Sequence, residues 1–180
     1  MEGWSPMFSD VMVDIETTGT DPEHAAIIQI TAVRFNLTTR EIDHNWFDQC
    51  LLVPSARFWA EDTRAFWAKH REVLAGIRAR MRDPAIVMRE FYDWVGVEDD
   101  PHFWSKPLSF DFPFIASYFR QYELPNPFPF WLGRDLRTHI AAVAPDFDEK
   151  SVPFEGEAHN AIFDVLHQIK LLYAAQESKA

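Results

Sequence analysis

Cysteine, positive charge and long apolar stretches are all scarce in this sequence. Cys50 is the one cysteine, so no internal disulfide can form, and its apolar surroundings are typical of a packed thiol in a reducing compartment. No apolar stretch approaches the ~20 residues of a membrane-spanning helix. The segment from Met1 to Pro6 lacks the basic start and apolar centre of a secretory signal. We therefore expect a cytoplasmic protein that does not associate with a membrane.

Lysine and arginine number 17 against 28 aspartates and glutamates, which gives a formal net charge of −11. This deficit of positive charge argues against a nucleic-acid binder that works through a broad basic surface. It does not exclude one whose anionic site is neutralised by bound metal ions. Hydrophobic residues make up 47% of the 180 residues, with 16 Phe and 7 Trp, which predicts a folded chain with a substantial core. We expect a single domain over residues 1–180.

Three apolar segments near the N-terminus predict a β-meander. Residues 8–16 and 26–35 are each predicted to form a strand, and a third strand is expected within 42–53, with a bulge or bend. The connections between them are too short for parallel crossovers, so the three strands should be antiparallel.

From Ala60 onward the apolar spacing becomes helical, and helices alternate with short strands. One helix is predicted to start at Ala60, and a second contains Val73, Leu74 and Ile77. Further helices are predicted from Asp83 to about Val95, over 111–122, over 135–143 and over 160–175. Short strands are predicted at 102–108 and 130–132, and a loop over 145–157. Asp83 suits the N-cap of its helix, with Pro84 at the first helical position. This order predicts an α/β mixed sheet flanked by helices, with its active site near strand ends.

Two carboxylates interrupt the first apolar strand just before its turn. Side chains alternate faces along a strand, so Asp14 and Glu16 project on one side and Ile15 on the other. Two like charges held side by side resist burial, but they become favourable when a hard multivalent cation lies between them, because Mg²⁺ and Mn²⁺ prefer carboxylate oxygens. The alternative is a strand end at the surface that carries two solvated acids.

Three further residues have chemistry that fits the same site, although each also has an ordinary explanation. Asp111 precedes a predicted helix, where an N-cap is the common role of aspartate. Asp164 borders the apolar face of the last predicted helix, and a carboxylate there needs a partner or a metal. His159 lies five residues earlier, ~140° away around a helix, so it should reach the site from the loop before that helix.

The segment Asp14-Ile15-Glu16-Thr17-Thr18-Gly19, then Asp111, then His159 with Asp164 five residues on, resembles the DEDD superfamily of 3′-5′ exonucleases. The histidine spacing is similar to that of the DEDDh branch, which includes proofreading exonuclease subunits, ribonuclease T and oligoribonuclease. The resemblance covers nearly the whole chain and implies a ribonuclease H-like fold. Residues 58–70 look more similar to the exonuclease A and ribonuclease AS-like branch.

The resemblance implies that Asp14, Glu16, Asp111 and Asp164 hold two divalent cations, Mg²⁺ or Mn²⁺. In the general two-metal scheme, ions ~4 Å apart activate the attacking water and stabilise the leaving oxygen. His159 would be the general base, and its unperturbed pKa of ~6.5 leaves it neutral near pH 7. The expected partner is a nucleic acid with a free 3′ end, which loses nucleoside monophosphates. Many superfamily members pair, so a homodimer is also expected.

Four residues are predicted to bind the substrate. In the family the residues just after the glutamate contact the terminal nucleotide, which points to Thr17 and to Thr18, the latter as a wedge against the last base. Phe110 and Phe114 flank Asp111, and one of them is predicted to stack on a base, with core packing as the alternative for each.

The sequence departs from the family pattern at Ser109, where many members have asparagine two residues before the second-motif aspartate. Asp135 also invites a catalytic interpretation, but its sequence context favours a helix N-cap.

Three alternatives to a DNA-cleaving exonuclease stay open. The first is the same chemistry on RNA, because the sequence does not show how a 2′-hydroxyl would be recognised. The second is a catalytically silent nucleic-acid-binding module, which the five intact site residues disfavour. The third is a ribonuclease H-like endonuclease, which the Thr-Thr-Gly segment and the spacing of His159 and Asp164 disfavour.

Overall fold

The computed structural model describes residues 8–96, 100–156 and 159–178. Their strands are Asp10–Thr17 (β1), Ile27–Phe35 (β2), Phe47–Leu51 (β3), Met81–Arg82 (β4), His102–Ser105 (β5) and Gly133–Asp135 (β6). They form one mixed sheet in the order β4-β3-β2-β1-β5-β6. The pairs β1–β2 and β2–β3 are antiparallel, which confirms the predicted meander, and the other three pairs are parallel.

Six α-helices flank this sheet within the described part of the chain. They are Glu61–Trp67 (α1), Arg71–Ala79 (α2), Pro84–Val95 (α3), Leu108–Gln121 (α4), Leu136–Val143 (α5) and Ala161–Glu177 (α6), and Phe130–Leu132 and Glu149–Ser151 form 3-10 turns. None of the helices in these residues is long and apolar enough to cross a membrane.

The alternation of side chains along β1 separates two cores. Val11, Val13 and Ile15 face a core shared with α3 and α4, which contributes Phe114 and Tyr118. Met12 faces the opposite core, to which α5 and α6 contribute Leu136, Val165 and Ile169, among others. Asp14 and Glu16 continue the second face toward the end of the strand, where the apolar cover of α6 gives way to polar groups. The sheet therefore brings the two acids to the N-terminal end of α6.

Several predicted boundaries shift in the structure. The third strand is shorter than 42–53, because only an isolated bridge from Ile42 to Phe35 precedes β3. Residues 130–132 form a 3-10 turn rather than a strand, and the strand follows at β6. Sequence reasoning also missed β4, whose two residues are too few to show an alternating pattern.

Two predicted helix caps are confirmed. The Asp83 side chain accepts a hydrogen bond from the Ala85 backbone N–H, with Pro84 at the start of α3. The Asp135 side chain accepts one from the Thr138 backbone N–H at the start of α5, and its other oxygen accepts one from the Leu108 backbone N–H. Asp135 thus stabilises the first turns of both α4 and α5, which supports a structural role.

The lone cysteine is a packed thiol, as predicted. Cys50 is 1% exposed in a cluster with the apolar side chains of α1 and α2, and burial raises its pKa to about 11. A thiol with this pKa stays protonated at neutral pH, and it is therefore a poor nucleophile.

Candidate active site

Three carboxylates meet where β1 ends beside α6. Asp14 and Glu16 come from β1, and Asp164 comes from the first turn of α6. One carboxylate oxygen of each lies within 4.8 Å of the others, a spacing at which a single cation can touch all three. We call these residues the acidic triad. All three are partly buried, so their mutual repulsion is only weakly screened by water.

The electrostatics of the triad indicate a site that needs positive charge. Burial raises the pKa values of Asp14 and Glu16 well above their usual range, and the neighbouring carboxylates raise them further. Burial also raises the pKa of Asp164 to about 6. A hard divalent cation would reverse these shifts and offset the repulsion, and carboxylate oxygens are the donors that such a cation prefers. The residues present therefore fit a divalent metal site.

The fourth predicted acid, Asp111, lies beside the triad and is not a member of it. It is 3% exposed, and its Oδ1 accepts a hydrogen bond from the backbone N–H of Ile15 at 3.2 Å. Its charge raises the pKa values of both Asp14 and Glu16, so it is within electrostatic reach of them. Burial raises its own pKa to about 7.

Asp111 also lies inside α4 rather than ahead of it. The helix begins at Leu108, directly after Pro107, so Asp111 is in the first turn and caps nothing with its side chain among the residues described. Pro113 lies inside the helix, where its missing N–H removes one backbone hydrogen bond. In this position the Asp111 side chain faces the backbone of β1.

His159 lies on the turn before α6, where the sequence analysis expected it. Its backbone has a φ of 64°, in the left-handed region, and its N–H donates a hydrogen bond to Asp164. Its ring packs against Phe66 and His70, with centroid distances of 5.0 and 4.4 Å. Burial lowers the pKa of His159, and the nearby charge of His70 lowers it further. The ring is thus held in its neutral form, as a proton acceptor requires.

A cleft of about 370 Å³ opens beside the triad. Glu16, Thr17 and Phe110 line it, together with Phe66 and Trp67 of α1. Two of the predicted substrate-binding residues, Thr17 and Phe110, therefore have access to a ligand in this cleft. The Thr17 hydroxyl itself donates to the Gly19 carbonyl at 2.7 Å.

The placement of Thr18 and Phe114 does not fit substrate contact. Both are 0% exposed. The Thr18 hydroxyl donates to the Phe58 carbonyl at 2.6 Å and accepts from the Ala26 backbone N–H at 2.7 Å, so it fixes the loop after β1. Phe114 packs in the core between the sheet and α4. The structure therefore gives no support to a wedge at Thr18 or to stacking at Phe114, because both side chains serve the interior.

Sequence reasoning missed Gln168. Its Nε2 donates to Asp14 Oδ1 at 2.8 Å, and the residue is 6% exposed. Gln168 follows Asp164 by four positions, so both side chains lie on the same face of α6. A polar residue at this spacing on an otherwise apolar helix face was the available signal. Its hydrogen bond orients the Asp14 carboxylate, as partners of metal ligands commonly do.

A polar strip extends from the triad across the sheet. Thr31 lies opposite Asp14 and Gln29 opposite Glu16 on β2. Both side chains donate to Asp48 Oδ1 on β3, at 3.0 and 2.7 Å. Gln29 also approaches the side-chain oxygen of Asn160, the N-cap residue of α6, at 3.4 Å. This contact helps to set the helix that carries Asp164.

Comparison with known families decides the class of the protein. A family model described as the 3′-5′ exoribonuclease Rv2179c-like domain matches residues 9–176. The chain belongs to this family. It is accordingly a 3′-5′ exonuclease domain, and the resemblance to the DEDD exonucleases is confirmed. The family and the acidic triad together indicate dependence on a divalent metal.

Solved structures confirm the ribonuclease H-like fold. Escherichia coli exonuclease I in complex with a dT13 oligonucleotide has a TM-score of 0.72 at 15% identity, covering 94% of this chain and 41% of that chain. A zinc-bound complex of the same enzyme with single-stranded DNA has a TM-score of 0.72 at 16% identity, covering 93% and 40%. Cell-death related nuclease 4 has a TM-score of 0.66 at 15% identity, covering 93% and 64%. This chain thus spans only about two fifths of exonuclease I. No curated protein matches the sequence.

Proposed function

We propose that this domain removes nucleoside monophosphates from the 3′ end of single-stranded or overhanging nucleic acid, using two divalent cations, Mg²⁺ or Mn²⁺. The observation that carries the proposal is the acidic triad, with its three oxygens within 4.8 Å. The family match gives the direction of hydrolysis, and the exonuclease I complexes contain single-stranded oligonucleotides. A silent binding module would be expected to have lost at least one member of the triad.

The metal-binding residues in this proposal are Asp14, Glu16 and Asp164, with Asp111 as the fourth carboxylate. The cations would supply Lewis-acid stabilisation of charge on the phosphate, the attacking water and the leaving oxygen. The backbone of β1 fixes the positions of Asp14 and Glu16, and Gln168 orients Asp14 by its hydrogen bond. Because these groups are held before substrate arrives, little reorganisation is needed during the reaction.

His159 is proposed as the general base. One of its imidazole nitrogens takes a proton from the attacking water while the water oxygen forms a bond to phosphorus. The bond from phosphorus to the 3′-oxygen of the preceding nucleotide breaks, and that oxygen leaves as the new 3′-hydroxyl after protonation. The lowered pKa of His159 keeps the ring able to accept the proton near neutral pH.

The cleft beside the triad is proposed to hold the terminal nucleotide. Its volume of about 370 Å³ is within the usual range of pockets for small ligands and is compatible with one nucleotide. Phe110 offers an aromatic face for the last base, and Thr17 lies where the strand end turns toward the triad. The sugar preference depends on whether this cleft admits a 2′-hydroxyl, so the test below uses both DNA and RNA.

Digestion of 5′-labelled single-stranded DNA and RNA in Mg²⁺ or Mn²⁺ tests the proposed function. We expect a ladder that shortens from the 3′ end, release of nucleoside monophosphates, and no cleavage in excess chelator. A relative rate on the two polymers gives the sugar preference. Absence of metal-dependent shortening of either polymer would refute the proposal, and cuts in a circular substrate would indicate an endonuclease. Light scattering on the same sample tests the expected homodimer.

Gln168→Leu is expected to weaken metal binding without unfolding the protein. The substitution removes the hydrogen bond that orients Asp14, and loss of such a partner typically costs about 10- to 100-fold in metal affinity. Titration calorimetry with Mn²⁺ measures the change. Gln176→Leu on the same helix is the matched control and should leave the Mn²⁺ affinity unchanged. Equal affinity in wild type and Gln168→Leu would show that Gln168 only fills space.

A further inference from the structure

A second and larger cavity borders α1 on a face next to the one that lines the cleft. It has a volume of about 780 Å³ and lies between α1 and α2. We call it the arginine groove, and its lining includes Trp59, Arg64, Trp67, Arg71, Leu74 and Arg78. Trp67 and Leu74 are buried and form its floor, while the three arginines are exposed at its rim.

The charge of the groove is opposite to that of the protein. The chain has a net charge of −11, and many of its other basic side chains are paired with acids, such as Arg82 with Glu90 and Arg120 with Glu23. In contrast, Arg71 and Arg78 have no ion pair with any acid in the described residues, and Arg64 approaches Glu61 only at 4.0 Å. The residues that line the groove include no acid, and a cationic lining on an acidic protein favours a polyanionic ligand.

The groove also carries an aromatic surface between its charges. Trp59 is half-buried at one wall, and the guanidinium carbons of Arg64 and Arg78 each lie 5.8 Å from the centre of its ring. Proteins that bind single strands combine arginine contacts to phosphates with aromatic rings on which bases stack. This combination suits a nucleic acid better than an acidic peptide, which has no base to stack.

The groove and the cleft are neighbours. Trp67 lines both cavities, and α1 separates them. The indole N–H of Trp67 donates to the Thr17 carbonyl at 3.0 Å, so this helix is fixed to the end of β1 beside the triad. An α-helix is about 10 Å across with its side chains, so a single strand could pass over it in a few nucleotides.

We propose that the arginine groove binds the part of a single-stranded substrate that lies 5′ of the nucleotide in the cleft. Arg71 and Arg78 contact phosphates, and Trp59 stacks on a base. The inference rests on the proposed function, because the 3′ end in the cleft fixes the direction of the strand. It explains how an acidic exonuclease can hold a long substrate, and it predicts a preference for strands long enough to reach the groove.

Binding without hydrolysis tests the groove directly. In the inactive Asp14→Asn background, fluorescence anisotropy with a 5′-labelled single strand of about 16 nucleotides measures Kd at several salt concentrations. Trp59→Ala should weaken binding by about 5- to 150-fold if a base stacks on the ring. Affinity for nucleic acid falls as salt rises, and each contact between an arginine and a single-strand phosphate contributes about −0.7 to the slope of log affinity against log salt. The double variant Arg71→Ala with Arg78→Ala should therefore make this slope less steep by about 1.4.

Activity assays in the otherwise wild-type enzyme give a second readout. The ratio of kcat/KM for the long strand to kcat/KM for a dinucleotide should fall in the double arginine variant, because only the long strand reaches the groove. Arg89→Ala is the matched control. Arg89 is exposed on α3, has no ion pair among the described residues and lies 5.9 Å from the ring of Tyr92. Its loss removes one positive charge at another surface, so its effect is compared with half of the effect of the double variant.

The outcomes separate the groove from the chemistry. If wild type hydrolyses both substrates, and the groove variants keep the wild-type Kd, salt slope and kcat/KM ratio, the groove inference is overturned and the proposed function stands. If wild type hydrolyses neither substrate, the proposed function fails, and the anisotropy measurement still decides whether the groove binds a single strand. If Arg89→Ala had the same effect per charge removed, the effect would come from the net charge of the protein and not from the groove. That result would also overturn the inference.

Discussion

Asp14→Asn is expected to abolish activity while making the metal-free protein more stable. The substitution removes one of three carboxylates that repel each other at the end of β1, and the hydrogen bond from Gln168 can still be accepted by the asparagine oxygen. Stability should rise because the folded state no longer holds a buried charge without a counter-ion. Activity should fall more than about 100-fold, since a ligand should matter at least as much as the groups that orient it.

Although Asp14→Asn should stabilise the metal-free protein, it should reduce the stabilisation that added metal gives. Metal that binds only the folded wild type, at about 100 times its Kd, adds about 2.7 kcal/mol of stability. For a chain of this size, that corresponds to a Tm increase of roughly 5 to 10 °C. Asp14→Asn should lose most of this increase, so the stability order of wild type and variant reverses on adding Mn²⁺. Thermal unfolding with chelator and with Mn²⁺ measures both effects.

The pH dependence of the metal-free protein follows from the same charges. Unfolded aspartates ionise near ~4, whereas the folded pKa values of Asp164 and Asp111 are about 6 and about 7. Because the folded state binds protons more tightly, stability is lost as pH rises from ~4 through these values. Because the pKa of Asp14 is also raised by burial, the advantage of Asp14→Asn should grow as pH rises and disappear in acid.

Asp93→Asn on the exposed face of α3 is the control for this prediction. It makes the same chemical change where the carboxylate is solvated, so it should alter neither the Mn²⁺-induced increase in Tm nor the activity. If the metal-free Asp14→Asn protein unfolded at a lower temperature than wild type, the result would contradict the repulsion between carboxylates that we infer at this metal site.

His159→Gln is expected to lose catalysis and keep metal binding. Loss of a general base typically lowers kcat by about 10²- to 10⁴-fold. Since the imidazole is proposed to accept a proton and not to bind metal, the Mn²⁺-induced increase in Tm should match that of wild type. Single-turnover hydrolysis of a labelled strand, together with thermal unfolding, separates the two roles. Retained kcat would assign the base elsewhere, and loss of the metal response would identify His159 as a ligand.

His44→Gln is the matched control for His159→Gln. His44 is exposed in the segment between β2 and β3, away from the cleft, and should affect neither kcat nor the metal response. If both histidine variants lost activity equally, the loss would reflect a general effect of the substitution on the protein.

Local periodicity was sufficient to predict the meander and most helices. The run before Asp14 alternates in the way that a buried strand requires, and Asp83 followed by Pro84 marks the start of α3. The beginning of α4 could not be predicted in this way, because Pro107 and Pro113 both suggest breaks. Its first turn is stabilised from a distance, by the Asp135 side chain at the Leu108 N–H. Such long-range contacts leave no local signal.

In the candidate site too, local sequence patterns predicted some features, and long-range contacts decided the others. The alternation on β1 placed Asp14 and Glu16 on one face, and the order of the motifs suggested Asp164 as their neighbour, which the structure brings to them. Which phenylalanine lines the cleft could not be read from the sequence, since Phe110 and Phe114 are one helical turn apart. Phe110 is partly buried and Phe114 fully buried because of how α4 packs on the sheet. Tertiary contacts decided that difference.

The acidic triad is assembled from the first strand and the last helix of the domain. Gln168 and Asp14, which touch in the site, are 154 residues apart in the chain. A nascent chain on the ribosome therefore carries Asp14 and Glu16 long before α6 is made, and it has no complete metal site until that helix docks on the sheet. We therefore expect nuclease activity only after α6 has docked, and none from a protein truncated before α6.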